Sequence, residues 1–383
     1  MSKSWIITDR EAAMVQHTEF CYEPDYAVAP GETLQEALDV LGMSQVQLAE
    51  RTGLTPKTIN LIIKGAAPIT PATALQLERV LGTPASFWNN REVQYRESLV
   101  RRAEATQLGT QGAWLKRIPF RAMAKLGWIR LHSEPTQQLR EVLGFFGVAS
   151  TEQWETVWAS PSAAFRASPA FAKDPGAVAA WLRRGELQAQ AIPTSAYDAS
   201  KFRDALDQAR ALTNEPPEVF TKDLVGICAG AGVAIAFVHE LPRLRTSGAT
   251  RWLSPAKALI QLGLRYKTDD QLWFTFFHEG AHILLHGKRD VFLEDDGEKS
   301  DKEREANRFA ADKLIPPRVY RVFAANKLHF SKASIQRFAT DVGVAPGIIV
   351  GRLQHDGRLP VTHCNDLKRH FQWAWTCLER VDT

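Results

Sequence analysis

Residues 274–287 read FTFFHEGAHILLHG, which places His278 and His282 four residues apart in an apolar run of helical period. Positions four apart on an α-helix are offset by about 40° around the axis, so both imidazoles project from one face and can share a divalent cation. Glu279 stands beside the first histidine, where its carboxylate can take a proton from an activated water without coordinating the metal. Zinc lowers the pKa of such a water to about 7, and a neighbouring carboxylate completes the nucleophile. The H-E-x-x-H spacing is therefore the core of metal-assisted hydrolysis, with zinc as the expected cation and manganese as the alternative.

A third ligand decides whether the spacing is a site. The metzincin pattern requires a glycine and a histidine where this chain has Leu285 and Lys288, so that arrangement is excluded. A second helix, EREANRFAADKL over 303–314, follows the charged loop 288–302. Its buried stripe is Ala306, Phe309, Ala310 and Leu314, and Glu303 lies nearer the centre of that stripe than Glu305. Glu303 is the expected third ligand, in a gluzincin-like set, with Glu305 as the alternative. Asn307, one turn after Glu303, is placed to hold a ligand histidine by a hydrogen bond. His286, one turn past His282, is expected to pack beside the site rather than coordinate.

The elements that must position these groups read as a mixed α+β segment. Helices are expected at 177–191 and 200–213, strands at 233–238 and 258–266, and helix again from Leu272. The strand 258–266 offers an edge for an extended substrate if it is not interior to the sheet. A later stretch, IQRFATDVGVAPGIIVGRL, has the layout of a helical pair, but Gly347, Ile348 and Val350 cannot read bases, so a packing role is expected.

The amino-terminal part carries a different signal. Residues 33–41, 45–52 and from Pro56 onward form three short amphipathic helices, punctuated by Gly42, Ser44, Gly53 and Thr55. Two more follow, one from Thr70 and Pro71 to Leu81 and a short one through Phe87 and Trp88. In SQVQLAERTGLTPKTINLIIKG, small Ala49 suits a close helix crossing, Gly53 the corner, and Ile59 the core of the second helix. Thr55, Lys57, Thr58, Asn60 and Lys64 are the candidate DNA contacts on that helix.

Hydrophobic residues make up 45% of the 383-residue chain and charged residues 23%, which excludes a disordered polypeptide and predicts more than one core. The charge of +4 permits nucleic-acid binding without arguing for it. Cys21, Cys228, Cys364 and Cys377 are too scattered for a thiolate metal site or a disulfide framework. Residues 1–14 lack the signature of a signal peptide, and no apolar run is long enough to span a bilayer, so a soluble, cytoplasmic protein is expected. Trp114, Trp128, Trp154 and Trp158, spread among basic residues, read as core tryptophans rather than stacking platforms for single strands. The expected division is an extension over 1–29, a helix-turn-helix domain over 30–98, a helical connector over 99–173, a zincin-like domain over 174–328 and a helical subdomain over 329–383. The fold class is multidomain, an all-α module followed by an α+β metallopeptidase domain with a small sheet.

Residues 30–96, through SQVQLAERTGLTPKTINLIIKG and PITPATALQLERVLGTPASFWNN, resemble the Xre family of helix-turn-helix regulators, particularly its HigA-type antitoxins. That resemblance implies a homodimer on palindromic, double-stranded operator DNA, with a toxin as a further partner. Pro56 and Leu61 depart from it where such regulators carry polar base readers. Residues 177–359, through SGATRWLSPAKALIQLGLRYK, HEGAHILLHG and EREANRFAADKLIPP, resemble the ImmA/IrrE metallopeptidases. That resemblance implies cleavage of a cytoplasmic repressor protein. Gly280 and Ala281 depart from the usual larger residue followed by glycine, a matter of helix packing. The expected function is a DNA-binding transcriptional regulator carrying a zinc endopeptidase. The alternative is a non-proteolytic repressor or antitoxin whose peptidase-like part senses metal or binds a partner, and self-cleavage within 101–124 ranks third.

Overall fold

The computed structural model describes residues 28–159, 174–242, 244, 246–287, 292–293, 301–325, 330–373 and 378–381. The stretch 1–14, Cys21, Cys377, His329, Lys288 and most of the charged loop after it lie outside these residues. The chain divides into two compact units, Met1–Leu108 and Gly109–Thr383. Among the described residues no helix is long and apolar enough to cross a membrane.

The first unit is helical. Helices α1 (Pro30–Leu41), α2 (Gln45–Thr52), α3 (Pro56–Ile63) and α4 (Pro71–Leu81) each end or begin on a local cap. Ser44 Oγ accepts the Gln47 amide while Gln47 Oε1 accepts the Ser44 amide, a reciprocal capping box. Thr55 and Thr70 cap α3 and α4 from their side chains, with Pro56 and Pro71 at first positions where no amide is needed. Gly53 makes the corner between α2 and α3 at φ 75°, a conformation other residues adopt only with strain. Leu34, Leu38, Leu48, Ala49, Ile59 and Trp88 belong to the core that these turns close.

The fifth helix is much longer than the short one expected: α5 runs from Ala85 to Thr110. No proline interrupts it, and Glu92–Arg96 and Glu97–Arg101 pair across single turns at 2.6 Å. Glu92 also accepts the Ile69 amide at 3.1 Å, tying α5 to the loop before α4.

The second unit opens with α6 (Phe120–Lys125), α7 (Pro135–Phe146) and α8 (Thr151–Trp154). Trp114, Trp154 and Trp158 are buried there and Trp128 stacks on Phe145, which fits core tryptophans. Then come α9 (Pro175–Ala191), α10 (Ala199–Ala211), α11 (Pro217–Gly230), β1 (Val233–Phe237), β2 (Gly248–Ser254) and β3 (Lys257–Leu262). After α12 (Asp269–Leu285) follow β4 (Phe292–Leu293), α13 (Asp301–Leu314), α14 (Pro317–Ala325), α15 (Lys332–Val342), α16 (Pro346–His355), β5 (His370–Trp373) and β6 (Leu378–Val381).

The sheet order is β1-β3-β2-β4, with β1 parallel to β3 and the other pairs antiparallel. Strand β3 is shorter than the expected 258–266 and is hydrogen-bonded on both sides, so the edge proposed for substrate pairing does not exist there. Its five buried residues, Ala258–Leu262, are those of a strand inside a covered sheet, and Gly263 leads out of it.

The segment expected to be a helical subdomain shares one core with the sheet and α12: Phe276, Ile335, Ile349 and Phe371 belong to the same buried cluster. It also ends in the β5–β6 hairpin rather than in helix. Gly347, Ile348 and Val350 are buried, in keeping with packing rather than base reading.

Candidate functional site

Helix α12 carries the H-E-x-x-H residues and is buried along most of its length, because Trp273, Phe276, Phe277 and Ile283 point into the core. Its amino terminus is fixed by charge. Asp269, fully buried, accepts from the Arg369 amide and from Arg369 Nε, both at 3.2 Å. Arg369 also donates to the carbonyls of Thr213, Asn214 and Glu215. Burial lifts the Asp269 carboxyl to about 6 although Arg369 opposes the shift. Lys368 Nζ lies 2.7 Å from Asp270 Oδ2 beside this pair.

His278 and His282 bring their Nε2 atoms within 3.0 Å of each other. Glu303, from the first turn of α13, reaches the same point: Oε2 is 3.1 Å from His278 Nε2 and Oε1 is 3.6 Å from His282 Nε2. Each of the three residues offers one ligand atom, and these atoms all lie within 4.8 Å of one another. Ligands bound at about 2.0–2.1 Å to one tetrahedral zinc lie about 3.3 Å apart, so the three observed separations suit a shared cation. Two nitrogens and one carboxylate oxygen are also donors that zinc accepts readily.

Charge states agree with that use. Burial drives His282 down to about 4, against a smaller opposing effect of Glu303, so its imidazole is neutral at neutral pH. Burial alone would raise Glu303, but the two imidazoles it faces, His278 and His282, more than offset that and hold the carboxyl at about 2. A neutral imidazole and an ionised carboxylate are the forms in which these groups bind metal.

The other candidates fall around this centre. Asn307 Oδ1 accepts from His278 Nδ1 at 2.9 Å. Glu305 is not with the pair: its Oε2 is 3.4 Å from His286 Nε2, on the outer side of that ring. Glu279 is fully buried next to β2, and Thr250 Oγ1 donates to its backbone carbonyl at 3.1 Å. A Cβ at position 248 would come within 2.8 Å of Glu279 Oε1 and 2.5 Å of Thr275 Cγ2, so only glycine leaves room for the carboxylate. Gly248 and Thr250 escape a reading of the sequence because they belong to a strand far from Glu279 in the chain, and no local spacing links them. A cleft of about 1410 Å³ opens onto His278 and Glu303, with Ser247, Tyr266, Phe274 and Asn307 in its wall. Cys228 takes no part: it is buried, and burial pushes its thiol up to about 12.

On α3 and its two caps, Thr55, Lys57 and Lys64 are exposed and Thr58 and Asn60 half-buried. Thr55 Oγ1 accepts the Thr58 amide at 3.1 Å and sits 2.8 Å from Thr58 Oγ1, so both hydroxyls gather at the start of the helix. Ile59 and Ile62 take the opposite, buried side.

Comparison with known proteins gives two family matches on separate parts of the chain. Residues 34–88 match the helix-turn-helix model, and residues 248–354 match the peptidase family described as the IrrE N-terminal-like domain. The uncharacterized HTH-type transcriptional regulator YddM of Escherichia coli K12 is 34% identical over 61 residues, 16% of this chain and 65% of that protein. Virulence-associated protein I of Dichelobacter nodosus is 39% identical over 70 residues, 18% of this chain and 65% of that protein. The chain thus spans about two thirds of the length of these curated relatives. Among solved structures, an addiction module antidote protein of a HigA family from Coxiella burnetii shares 32% identity, covering 22% of this chain and 92% of that one at a TM-score of 0.21.

Proposed function

We propose that this chain, which carries a helix-turn-helix domain and an IrrE N-terminal-like peptidase domain, is a DNA-binding transcriptional regulator and a zinc endopeptidase acting on a repressor-type protein. The observation that carries the reading is the convergence of His278, His282 and Glu303 beside the buried Glu279. His278, His282 and Glu303 would hold the cation, with manganese as the alternative to zinc, and Asn307 would orient His278. A zinc ion bound there supplies Lewis-acid polarisation of a scissile carbonyl and lowers the pKa of water to about 7. Glu279 takes the proton of the attacking water and returns it to the leaving amine, the two halves of general base and general acid catalysis. The cleft exceeds the roughly 300–1,000 Å³ of small-molecule pockets, which suits several residues of extended polypeptide.

At the other end of the chain, Thr55, Lys57, Thr58, Asn60 and Lys64 would face double-stranded operator DNA, as a homodimer on a palindrome. The lysines neutralise phosphates, and Asn60 is the side chain able to read an adenine edge.

The test uses the full, zinc-loaded chain with its own operator and with candidate repressor proteins, followed by gel analysis and DNA-binding titrations. Wild-type protein is expected to bind the operator and cut a repressor. Lys57→Ala should weaken binding across sequences and lower the salt slope by about one per subunit of the dimer. Operator binding without cleavage of any candidate under any condition would favour a repressor or antitoxin that does not cut protein.

A further inference from the structure

His286 belongs to none of the three ligand positions, yet its ring is locked against one of them. The chain leaves α12 at this residue, with ψ turning to 165°, and the His286 amide still donates to the His282 carbonyl at 3.2 Å. The side chain is 4% exposed, and its Nδ1 lies 2.8 Å from His282 Nδ1. On the far side of the ring, Nε2 faces Glu305 Oε2 at 3.4 Å.

Hydrogen counting orders this contact. A neutral imidazole has one N–H, and the nitrogen without hydrogen is the one that can bind a metal. His282 turns Nε2 toward His278 Nε2 and Glu303, the point where the ligand atoms gather. If that nitrogen holds the cation, the hydrogen of His282 is on Nδ1. Two ring nitrogens 2.8 Å apart bond only when one donates and the other accepts, so His286 Nδ1 is the acceptor. The hydrogen left to His286 is then on Nε2, on the side where a carboxylate oxygen stands. For His278 the same task falls to Asn307, whose Oδ1 accepts from Nδ1.

We propose that His286 is a positioning residue that fixes the tautomer and ring orientation of His282, with Glu305 as the acceptor at the outer end of the relay. The proposal rests on the cation-site reading given above. Metal-ligating histidines are held in this way by acceptors on their other nitrogen, and loss of such an acceptor typically costs 10–100-fold in metal affinity.

The experiment measures zinc affinity of the full chain by competition with a chromophoric chelator, for wild type, His286→Leu and His286→Gln. His286→Leu is expected to bind zinc about 10–100-fold more weakly. His286→Gln keeps an acceptor oxygen and is expected to recover most of that loss. Because a leucine variant can fail to fold, imidazole ¹H–¹⁵N correlation spectra of zinc-loaded wild type give a second readout. They should show the hydrogen of His282 on Nδ1 and that of His286 on Nε2. Wild-type affinity in His286→Leu, or a hydrogen on Nδ1 of His286, would overturn the proposal while leaving the metal site intact. Failure of the wild type itself to take up one zinc would instead remove the reading on which it rests.

Discussion

A Glu279→Gln variant is expected to take up zinc as the wild type does and to lose about 10²–10⁴-fold in kcat/KM for peptide hydrolysis. The amide keeps the size of the carboxylate, so the space that Gly248 leaves beside Thr275 stays filled. It cannot accept a proton from water. Glu279 is not one of the three residues whose donor atoms gather to suit a cation, and the separations among His278, His282 and Glu303 involve none of its atoms. Metal content by atomic emission and cleavage of a repressor by gel analysis check the two halves of this expectation. Cleavage at the wild-type rate would remove Glu279 from the chemistry even with the metal site intact.

The second large effect falls on stability. Arg369→Ala is expected to destabilise the second unit by about 3–5 kcal/mol at pH 8, since it leaves the buried Asp269 charge without a counter-ion. The pH dependence has a definite sign. Asp269 has a folded-state pKa of about 6, above its ordinary 3.8, so it contributes stability below about pH 4 that is lost as pH rises through 6. Removing Arg369 takes away the group that opposes this rise, so the gap between variant and wild type opens above pH 6. At pH 5 Asp269 is largely protonated in both proteins, and the remaining deficit comes from the bonds to Thr213, Asn214 and Glu215. Urea unfolding of both proteins at pH 8 and pH 5 tests this, the expected result being a difference in free energy that shrinks on acidification. A difference independent of pH would assign the role of Arg369 to those carbonyls alone.

Features set by neighbours in the chain were legible from residues alone. Ser44, Thr55 and Thr70 cap α2, α3 and α4, which begin at the next residue, and Gly42, Gly53 and Gly82 end α1, α2 and α4 in left-handed conformations, because capping is decided within one turn. The period of α12 placed His278 and His282 on one face. The Ala306, Ala310 and Leu314 stripe oriented α13 so that Glu303 came to the pair and Glu305 to His286. What stayed hidden depends on pairing across distance. Strand β2 opens with Gly248, Ala249 and Thr250, all buried, and shows no alternation to betray it. The interior position of β3 follows from its pairing with both β1 and β2, which the local pattern over 258–266 cannot specify. Helix α5 continues well past Trp88. Two of its i,i+4 pairs, Glu92–Arg96 and Glu97–Arg101, join charged residues and leave no apolar period to read. The anchoring of Asp269 by Arg369 joins residues 100 positions apart.

Where a zinc ion binds decides whether this chain is a metallopeptidase. Crystals of the zinc-loaded chain, with diffraction collected on both sides of the zinc absorption edge, should give an anomalous peak within bonding distance of His278 Nε2, His282 Nε2 and a Glu303 carboxylate oxygen. A peak elsewhere, or a fully loaded protein in which Glu303 stays away from the metal, would contradict that reading.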